Sequence, residues 1–292
     1  MRNRQTMKKI LPDNKIQAAL KCPICGSNLT LHENKSLFCG GARKHCYDLS
    51  ASGYVNLMPP GHTDGGDSKA AVAARKRFLG KDYYLPAAKA LAETVKEYTP
   101  KGGVVADAGC GEGFYTSLIA KEGFSAAGID ISKHAAEASA KRASALGIEN
   151  GFYAVGSVYA LPFLEKSIDT VVNVFAPCAE EEFSRVLKTG GKLVVVYAGR
   201  EHLMGLKRAI YDTVRENDGR EDLPKTLRLV EEKSVTFEIC VEGREDLYDL
   251  FAMTPYYWKT SKEDGEKLNS IDRLQTTVDM VIAVYEKTEE QK

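Results

Sequence analysis

The stretch Val104-Val105-Ala106-Asp107-Ala108-Gly109-Cys110-Gly111-Glu112-Gly113-Phe114-Tyr115-Thr116 constrains the fold of this chain more than any other. An apolar run ends in an acid, three glycines alternate with other residues, and a helical pattern then begins. Such a segment is a buried strand, a tight turn and a helix start. Glycine at 109, 111 and 113 removes the Cβ atoms that would hold a ligand away from the backbone. The helix that follows presents free N–H groups at its N-terminus. The spacing is G-x-G-x-G, not the G-x-G-x-x-G of dinucleotide binding, and no Lys-Ser/Thr pair follows as in a phosphate-binding loop. Asp130 closes a second apolar run, residues 126–129. A carboxylate about 20 residues beyond a glycine loop, at the end of the next strand, suits the two hydroxyls of a ribose.

From residue 103 onward apolar runs and helical patterns alternate. Strands are expected near residues 103–107, 125–130, 151–155, 168–174 and 192–198, with helices notably over 133–146 and 180–187. This alternation builds a parallel sheet covered on both faces. Two later β-rich runs, 234–240 and 278–286, are expected to add an antiparallel pair at one edge, with a helix over 244–253 between them. Ligands of such sheets lie beyond the carboxyl ends of the strands, where the strand order switches. That gathers residues 107–113, Asp130, Gly156-Ser157-Val158 and the turn Asn173-Val174-Phe175-Ala176-Pro177-Cys178 around one pocket. The glycine loop and its two acids resemble motif I of the class I S-adenosylmethionine-dependent methyltransferases. The resemblance implies an α/β fold with a Rossmann-like doubly wound sheet, and cofactor contacts from Asp107, Gly109, Gly111, Gly113 and Asp130. The turn at 173–178 is then where the atom to be methylated is oriented.

A chain of 292 residues has room for one large domain and a small one. A hydrophobic share of 43% with 27% charged residues is ordinary for a soluble globular protein. No run approaches the roughly 20 apolar residues that span a bilayer. The charged start, residues 1–9, has no apolar stretch behind it, so no secretory signal or membrane is expected and the reading is cytoplasmic. The 40 basic and 40 acidic residues cancel. A nucleic-acid partner usually leaves a basic imbalance, so any RNA contact has to use a local patch. The densest such cluster beyond the N-terminus is Arg75-Lys76-Arg77.

Four of the seven cysteines crowd the first 46 residues. In a cytosolic chain this favours a metal over disulfides. Cys22-Pro23-Ile24-Cys25-Gly26 is a C-x-x-C knuckle, and Cys39, His45 and Cys46 follow. Two thiolates on one tight turn and two ligands from a second can close a tetrahedron around zinc. The stretch between, residues 29–38, has the alternation of a small hairpin. So short a module has almost no core, so the metal is expected to supply most of its folding free energy. His45 and Cys46 compete for the fourth position. A redox C-x-x-C is disfavoured, because no thioredoxin-like βαβ pattern surrounds it. The expected organisation is a tail or short helix over 1–20, a zinc-binding module over 21–60, linking helices over 61–100 and the methyltransferase domain over 101–292. The linker starts with a loop at 61–67, then helices over 69–79, capped by Asp67 or Ser68, and over 86–98.

The blocks Tyr47-Asp48-Leu49, Gly53-Tyr54-Val55-Asn56-Leu57, Gly66-Asp67-Ser68, Arg75-x-x-Phe78-Leu79, Tyr84-x-Pro86, Leu161-Pro162-Phe163, Ala176-Pro177-Cys178, Arg200-x-His202-Leu203 and Met253-Thr254-Pro255 extend a likeness over residues 21 to about 260. Together with the cysteines they resemble the 23S ribosomal RNA (guanine-N1)-methyltransferases that act on helix 35. The resemblance implies zinc held by Cys22, Cys25, Cys39 and His45, although the gap from Cys39 to His45 is longer than in the family. It implies cofactor contacts from Tyr84, Gly111, Glu112, Asp130 and His202. It further implies a 23S rRNA hairpin loop as substrate, and a homodimer.

The implied chemistry is methyl transfer from a sulfonium to guanine N1, which must lose its proton before its lone pair can attack. A positioned base would help, and Glu201, His202 and Asp169 are the candidates by chain position. A splayed loop base can stack on aromatic rings, for which Phe175, Tyr256, Tyr257 and Trp258 are candidates. The RNA grip is expected from the zinc module with Arg75, Lys76 and Arg77, joined by Arg43 and Lys44. Two other functions compete. A small-molecule methyltransferase fits the glycine loop equally well but leaves the cysteine module unexplained. A non-catalytic zinc-dependent RNA-binding protein has no use for an intact Asp107, three glycines and Asp130.

Overall fold

The computed structural model describes residues 9–61, 65–217, 219 and 222–289. The chain starts with helix α1 (Asn14–Ala19) and a three-stranded antiparallel sheet of β1 (Leu29–His32), β2 (Ser36–Cys39) and β3 (Cys46–Asp48). The two-residue strand β4 (Val55–Asn56) and helices α2 (Lys69–Leu79) and α3 (Leu85–Tyr98) lead into the larger unit. There β5 (Val104–Ala108), α4 (Phe114–Lys121), β6 (Ser125–Asp130), α5 (Lys133–Ala145), β7 (Gly151–Val155), β8 (Ile168–Val174), α6 (Glu180–Val186) and β9 (Leu187–Ala198) alternate. Helices α7 (Met204–Ile210), α8 (Arg244–Ala252), α9 (Tyr256–Lys259) and α10 (Lys262–Glu266) surround the final strands β10 (Arg228–Glu242) and β11 (Arg273–Glu286).

The strands order as β10-β11-β9-β8-β5-β6-β7-β4. The pairs from β9 through β4 are parallel, while β11 runs antiparallel to β9 and β10 antiparallel to β11. This is the expected doubly wound sheet with its antiparallel pair at one edge. Every residue of β5 and β7 is buried, as an apolar strand sandwiched between helix layers must be. The order reverses at β5, whose neighbours are β6 and β8. The crevice at that reversal, beyond the carboxyl ends of β5, β6 and β8, holds the glycine loop.

The N-terminal residues depart from the tail reading. Of the alternatives for 1–20, the short helix holds over Asn14–Ala19, and residues 1–8 lie outside the described residues. Asp13 caps that helix through Ile16 N–H and accepts a hydrogen bond from Ser125 Oγ at the start of β6. Leu20 bridges to Phe163. The cysteine module does not stand alone either. Leu29, Leu37 and Leu49 share one apolar cluster with Ala127 and Phe152 of the large sheet and with Phe163 of the loop after β7, and β4 adds itself to β7. A module without a core of its own uses one face of the neighbouring domain, so less of its folding rests on the metal than its length suggests.

Candidate functional site

The glycine loop takes its shape from three positive φ angles, +87° at Gly109, +56° at Gly111 and +81° at Gly113. A Cβ at Gly109 would lie 2.4 Å from Ala176 Cβ, and one at Gly113 would lie 2.9 Å from Ser139 Cβ. The glycines therefore let the loop sit close under the 173–178 turn and against α5. Asp130 fixes the loop from the side: Gly111 N–H donates to Oδ2 at 2.9 Å and Ser132 N–H to Oδ1 at 2.8 Å. Burial raises the Asp130 carboxyl above its usual range, and these two donors oppose that shift.

Asp107 is 1% exposed. Its Oδ2 accepts from Thr116 Oγ1 at 2.5 Å, while Oδ1 is buried without a partner. Burial pushes its carboxyl up to about 7. A buried acceptor left unpaired costs about 1–3 kcal/mol, which a cationic or hydrogen-donating ligand would recover. Glu112 behaves differently. Its carboxylate lies 3.0 Å from Arg142 Nε of α5, a contact that closes the charge but not a well-angled hydrogen bond, since both of its oxygens remain without one. Its side chain braces the loop against α5. Tyr84 is buried with an unpartnered hydroxyl and its ring meets that of His202 edge-on at 6.3 Å.

His202 is buried, and its Nδ1 accepts the Asp279 N–H at 3.2 Å. Burial lowers its pKa to about 4. The imidazole is thus neutral at neutral pH, and with Nδ1 used as acceptor the proton sits on Nε2. This makes His202 a donor and not a base. Phe175 faces it, ring centroids 5.5 Å apart and tilted by 33°. Phe175 is 49% exposed and holds φ +51°, a left-handed backbone unusual for a bulky residue. Asn173 secures this turn, donating from Nδ2 to Ala108 O at 3.1 Å and Pro177 O at 3.2 Å.

Asp169 must be removed from the list of bases. It is the second residue of β8, at the opposite edge of the sheet from the crevice, roughly 17 Å away at about 3.3 Å per residue. There it accepts Val104 N–H at 2.8 Å and Lys188 Nζ at 2.6 Å, beside an open cavity of about 480 Å³ lined also by Lys15 and Lys101. Glu201, exposed and next to His202 in the chain, is the remaining candidate base.

The basic cluster on α2 is divided by the fold. Arg77 makes two hydrogen bonds to Asp249 of α8, at 2.8 and 2.5 Å; it is a strut between helices, which corrects its reading as a phosphate ligand. Arg75 turns to the glycine loop and pairs with Asp67 at 2.5 Å. Lys76 is exposed. The stacking candidates also divide. Trp258 is 69% exposed at the end of α9, while Tyr256 carries Lys207 Nζ over its ring and Tyr257 packs on Phe251.

At the N-terminal end, Cys22, Cys25, Cys39 and His45 bring their ligand atoms within 4.8 Å of one another. Cys25 and Cys39 sulfurs are 3.7 Å apart, and His45 Nδ1 lies 3.6 and 3.4 Å from the sulfurs of Cys22 and Cys39. Zinc–ligand lengths of about 2.3 Å to sulfur and 2.0–2.1 Å to nitrogen give tetrahedral edges of about 3.8 and 3.6 Å, so the donors fit that ion. Cys46 points out to solvent toward Asp48, which leaves His45 as the fourth donor. The chain reading did not anticipate Tyr47. Its hydroxyl lies 3.0 Å from Cys22 Sγ, as expected of an outer group that holds a ligand thiolate in place. Its place two residues after His45, at the centre of β3, was the available signal.

Among the described residues no helix is long and apolar enough to cross a membrane. Residues 20–64 match the family model described as the RlmA N-terminal zinc ribbon, and residues 100–268 match one described as a methyltransferase domain. The chain is 30% identical over 281 residues to a Bacillus subtilis protein named as a 23S rRNA (guanine-N1)-methyltransferase, covering 90% of this chain and 95% of the relative. It is also 30% identical to a similarly named protein of Micromonospora griseorubida, covering 82% and 87% of the two chains. A Streptomyces fradiae protein named 23S rRNA (guanine(748)-N1)-methyltransferase is 30% identical too, with coverage of 84% and 88%.

Proposed function

The chain belongs to the 23S rRNA (guanine-N1)-methyltransferase family, and from that premise we propose that it methylates N1 of a guanine in the hairpin loop of helix 35, in the cytoplasm, with S-adenosylmethionine as donor. The observation that carries this reading is one crevice joining an unpaired buried carboxylate oxygen on Asp107, the Asp130-pinned glycine loop and an exposed aromatic ring on the Phe175 turn.

The donor's sulfonium supplies an electrophilic methyl group. The chain's own residues have to bind, orient, exclude water and take one proton. Asp130, already oriented by two backbone N–H groups, has lone pairs left for the ribose hydroxyls. Asp107 offers its free oxygen, and His202 its Nε2–H. The guanine stacks on Phe175, whose exposure and strained backbone present the ring to solvent. Glu201 takes the N1 proton. Cys22, Cys25, Cys39 and His45 would hold a zinc ion that fixes the shape of the ribbon, and the ribbon contacts the RNA together with Arg43, Lys44 and Lys76. A homodimer would shape the cleft for the hairpin.

Incorporation of tritiated methyl groups from the donor into unmethylated 23S rRNA tests this function. Labelled RNA is the expected result, and donor binding without labelled RNA would favour a small-molecule substrate instead.

Two further outcomes follow. Phe175→Ala should lower kcat/KM for RNA by roughly 10-fold, since stacking contributes about 1–3 kcal/mol per base. Donor affinity should stay unaltered; equal losses in both would refute the stacking role. A cation bound beside Asp107 favours its ionised form. Because the carboxyl titrates near 7 before binding, affinity for the positively charged donor should fall as pH drops from 8 to 6, with a proton released on binding at the lower pH. Calorimetry in buffers of different ionisation enthalpy measures both, and a flat profile would contradict the assignment.

A further inference from the structure

Five residues close a ring around the mouth of the donor crevice. Asp130 accepts the N–H groups of Gly111 and Ser132. Ser132 Oγ donates to the carbonyl of Asp67 at 2.7 Å. Asp67 pairs through Oδ2 with Arg75 Nη1 at 2.5 Å. Arg75 returns to the start, because its Nη1 lies 3.4 Å from where a Cβ on Gly111 would stand. The ring joins the linking segment to the glycine loop and to the turn after β6. It holds the Arg75 guanidinium against the carboxylate of Asp67, and the Arg75 charge favours the ionised forms of Asp130, in the ring, and of Glu112 beside it.

This matters because the donor proposed for the crevice carries an α-carboxylate beside its ammonium and sulfonium. The acids of the crevice suit the two cations. A carboxylate entering the same space would meet repulsion unless a cation faced it. Arg142, the guanidinium of α5, is held against Glu112 and over the Phe114 ring. Arg75 is the guanidinium that lies against the glycine loop at its open side, with side-chain exposure of 25% and that of Asp67 32%. A guanidinium offers five N–H groups in a planar fork, and the Asp67 contact runs through Nη1. Gly111 has no Cβ to lift the fork away.

We propose that Arg75 is the counter-ion for the α-carboxylate of the methyl donor, with Asp67 holding the guanidinium ready over Gly111. The assignment rests on the methyltransferase reading above. It moves Arg75 from the RNA interface to the donor site and makes it a specificity-determining residue for a donor that carries an intact amino-acid end.

The test compares two ligands on the full-length protein by calorimetry: S-adenosylhomocysteine, and its decarboxylated analogue, which keeps the adenosine, the sulfur and the amine. The unsubstituted protein should bind S-adenosylhomocysteine about 10-fold or more tightly than the analogue, as expected for a charge-assisted pair. Arg75→Ala should bring that ratio close to one, and Arg75→Lys should keep part of it. Since the ratio is taken within each variant, a general disturbance of the loop cancels. A ratio unchanged in Arg75→Ala, or both ligands weakened by one factor, would overturn the role of Arg75 while leaving the methyltransferase reading intact. Failure of the unsubstituted protein to bind either ligand would overturn both.

Discussion

Cys22→Ser is expected to release the metal and to abolish methylation of RNA. Serine oxygen is a poor substitute for a thiolate, and Cys22 also receives the Tyr47 hydroxyl at 3.0 Å, so its loss undoes one ligand and the group that orients it. Loss of an outer partner alone typically costs 10–100-fold in metal affinity, so loss of the ligand should exceed about 100-fold. Structural zinc contributes about 10–16 kcal/mol to the folding of a small module. Here the shared cluster of Leu29, Leu37 and Leu49 with Phe152 and Phe163 should keep the chain folded but less stable. Donor affinity should change by no more than about 3-fold, because the crevice is built on β5, β6 and β8, whereas the module's strand β4 joins the sheet through β7. Elemental analysis showing a full equivalent of zinc in the purified variant would contradict the assignment.

Gly109→Ala is expected to remove donor binding with little effect on metal content. The residue holds φ +87°, and the added methyl would stand 2.4 Å from Ala176 Cβ. A left-handed backbone costs a non-glycine residue roughly 1–2 kcal/mol, and overpacking typically adds 1–3 kcal/mol. The loop escapes both by moving away from the 173–178 turn, and the crevice goes with it. At about 1.4 kcal/mol per tenfold, affinity for S-adenosylhomocysteine should fall on the order of 100-fold. An affinity equal to that of the unsubstituted protein would show that the loop is not the donor site.

Much of the parallel sheet was legible because its strands are buried on both faces. Runs such as 104–106 and 151–155 are free of charged residues, and helix starts at Ser68 and Ser132 carry caps that accept from Ala71 and Ala135 N–H groups. The antiparallel pair was legible too, although its strands extend further than expected, to Arg228–Glu242 and Arg273–Glu286. The contribution of residues 10–20 was not legible, because it lies in contacts with Ser125 and residues 162–164 that chain periodicity does not encode. Strand β4 is two residues long and exists only by pairing with β7.

The site divides along the same line. Asp107, Asp130 and the glycines act through the local geometry of strand, turn and helix, which their spacing states. Asp169 shares a strand with the 173–178 turn, but the acid and the turn sit at opposite ends of it. Whether an acid opens or closes its strand decides which edge of the sheet it reaches. The direction of Arg75 and Arg77 depends on partners at Asp67 and Asp249. The protonation pattern of His202 depends on the backbone of Asp279. Sequence names these residues as polar and available, and only the packed chain assigns their partners.

The most direct measurement is reverse transcription across helix 35 after incubating unmethylated 23S rRNA with the protein, zinc and S-adenosylmethionine. A methyl group on N1 blocks the Watson–Crick edge of guanine, so a single donor-dependent stop next to a loop guanine is the predicted result. Unbroken read-through of that loop, with the RNA bound and the donor consumed elsewhere, would contradict the account.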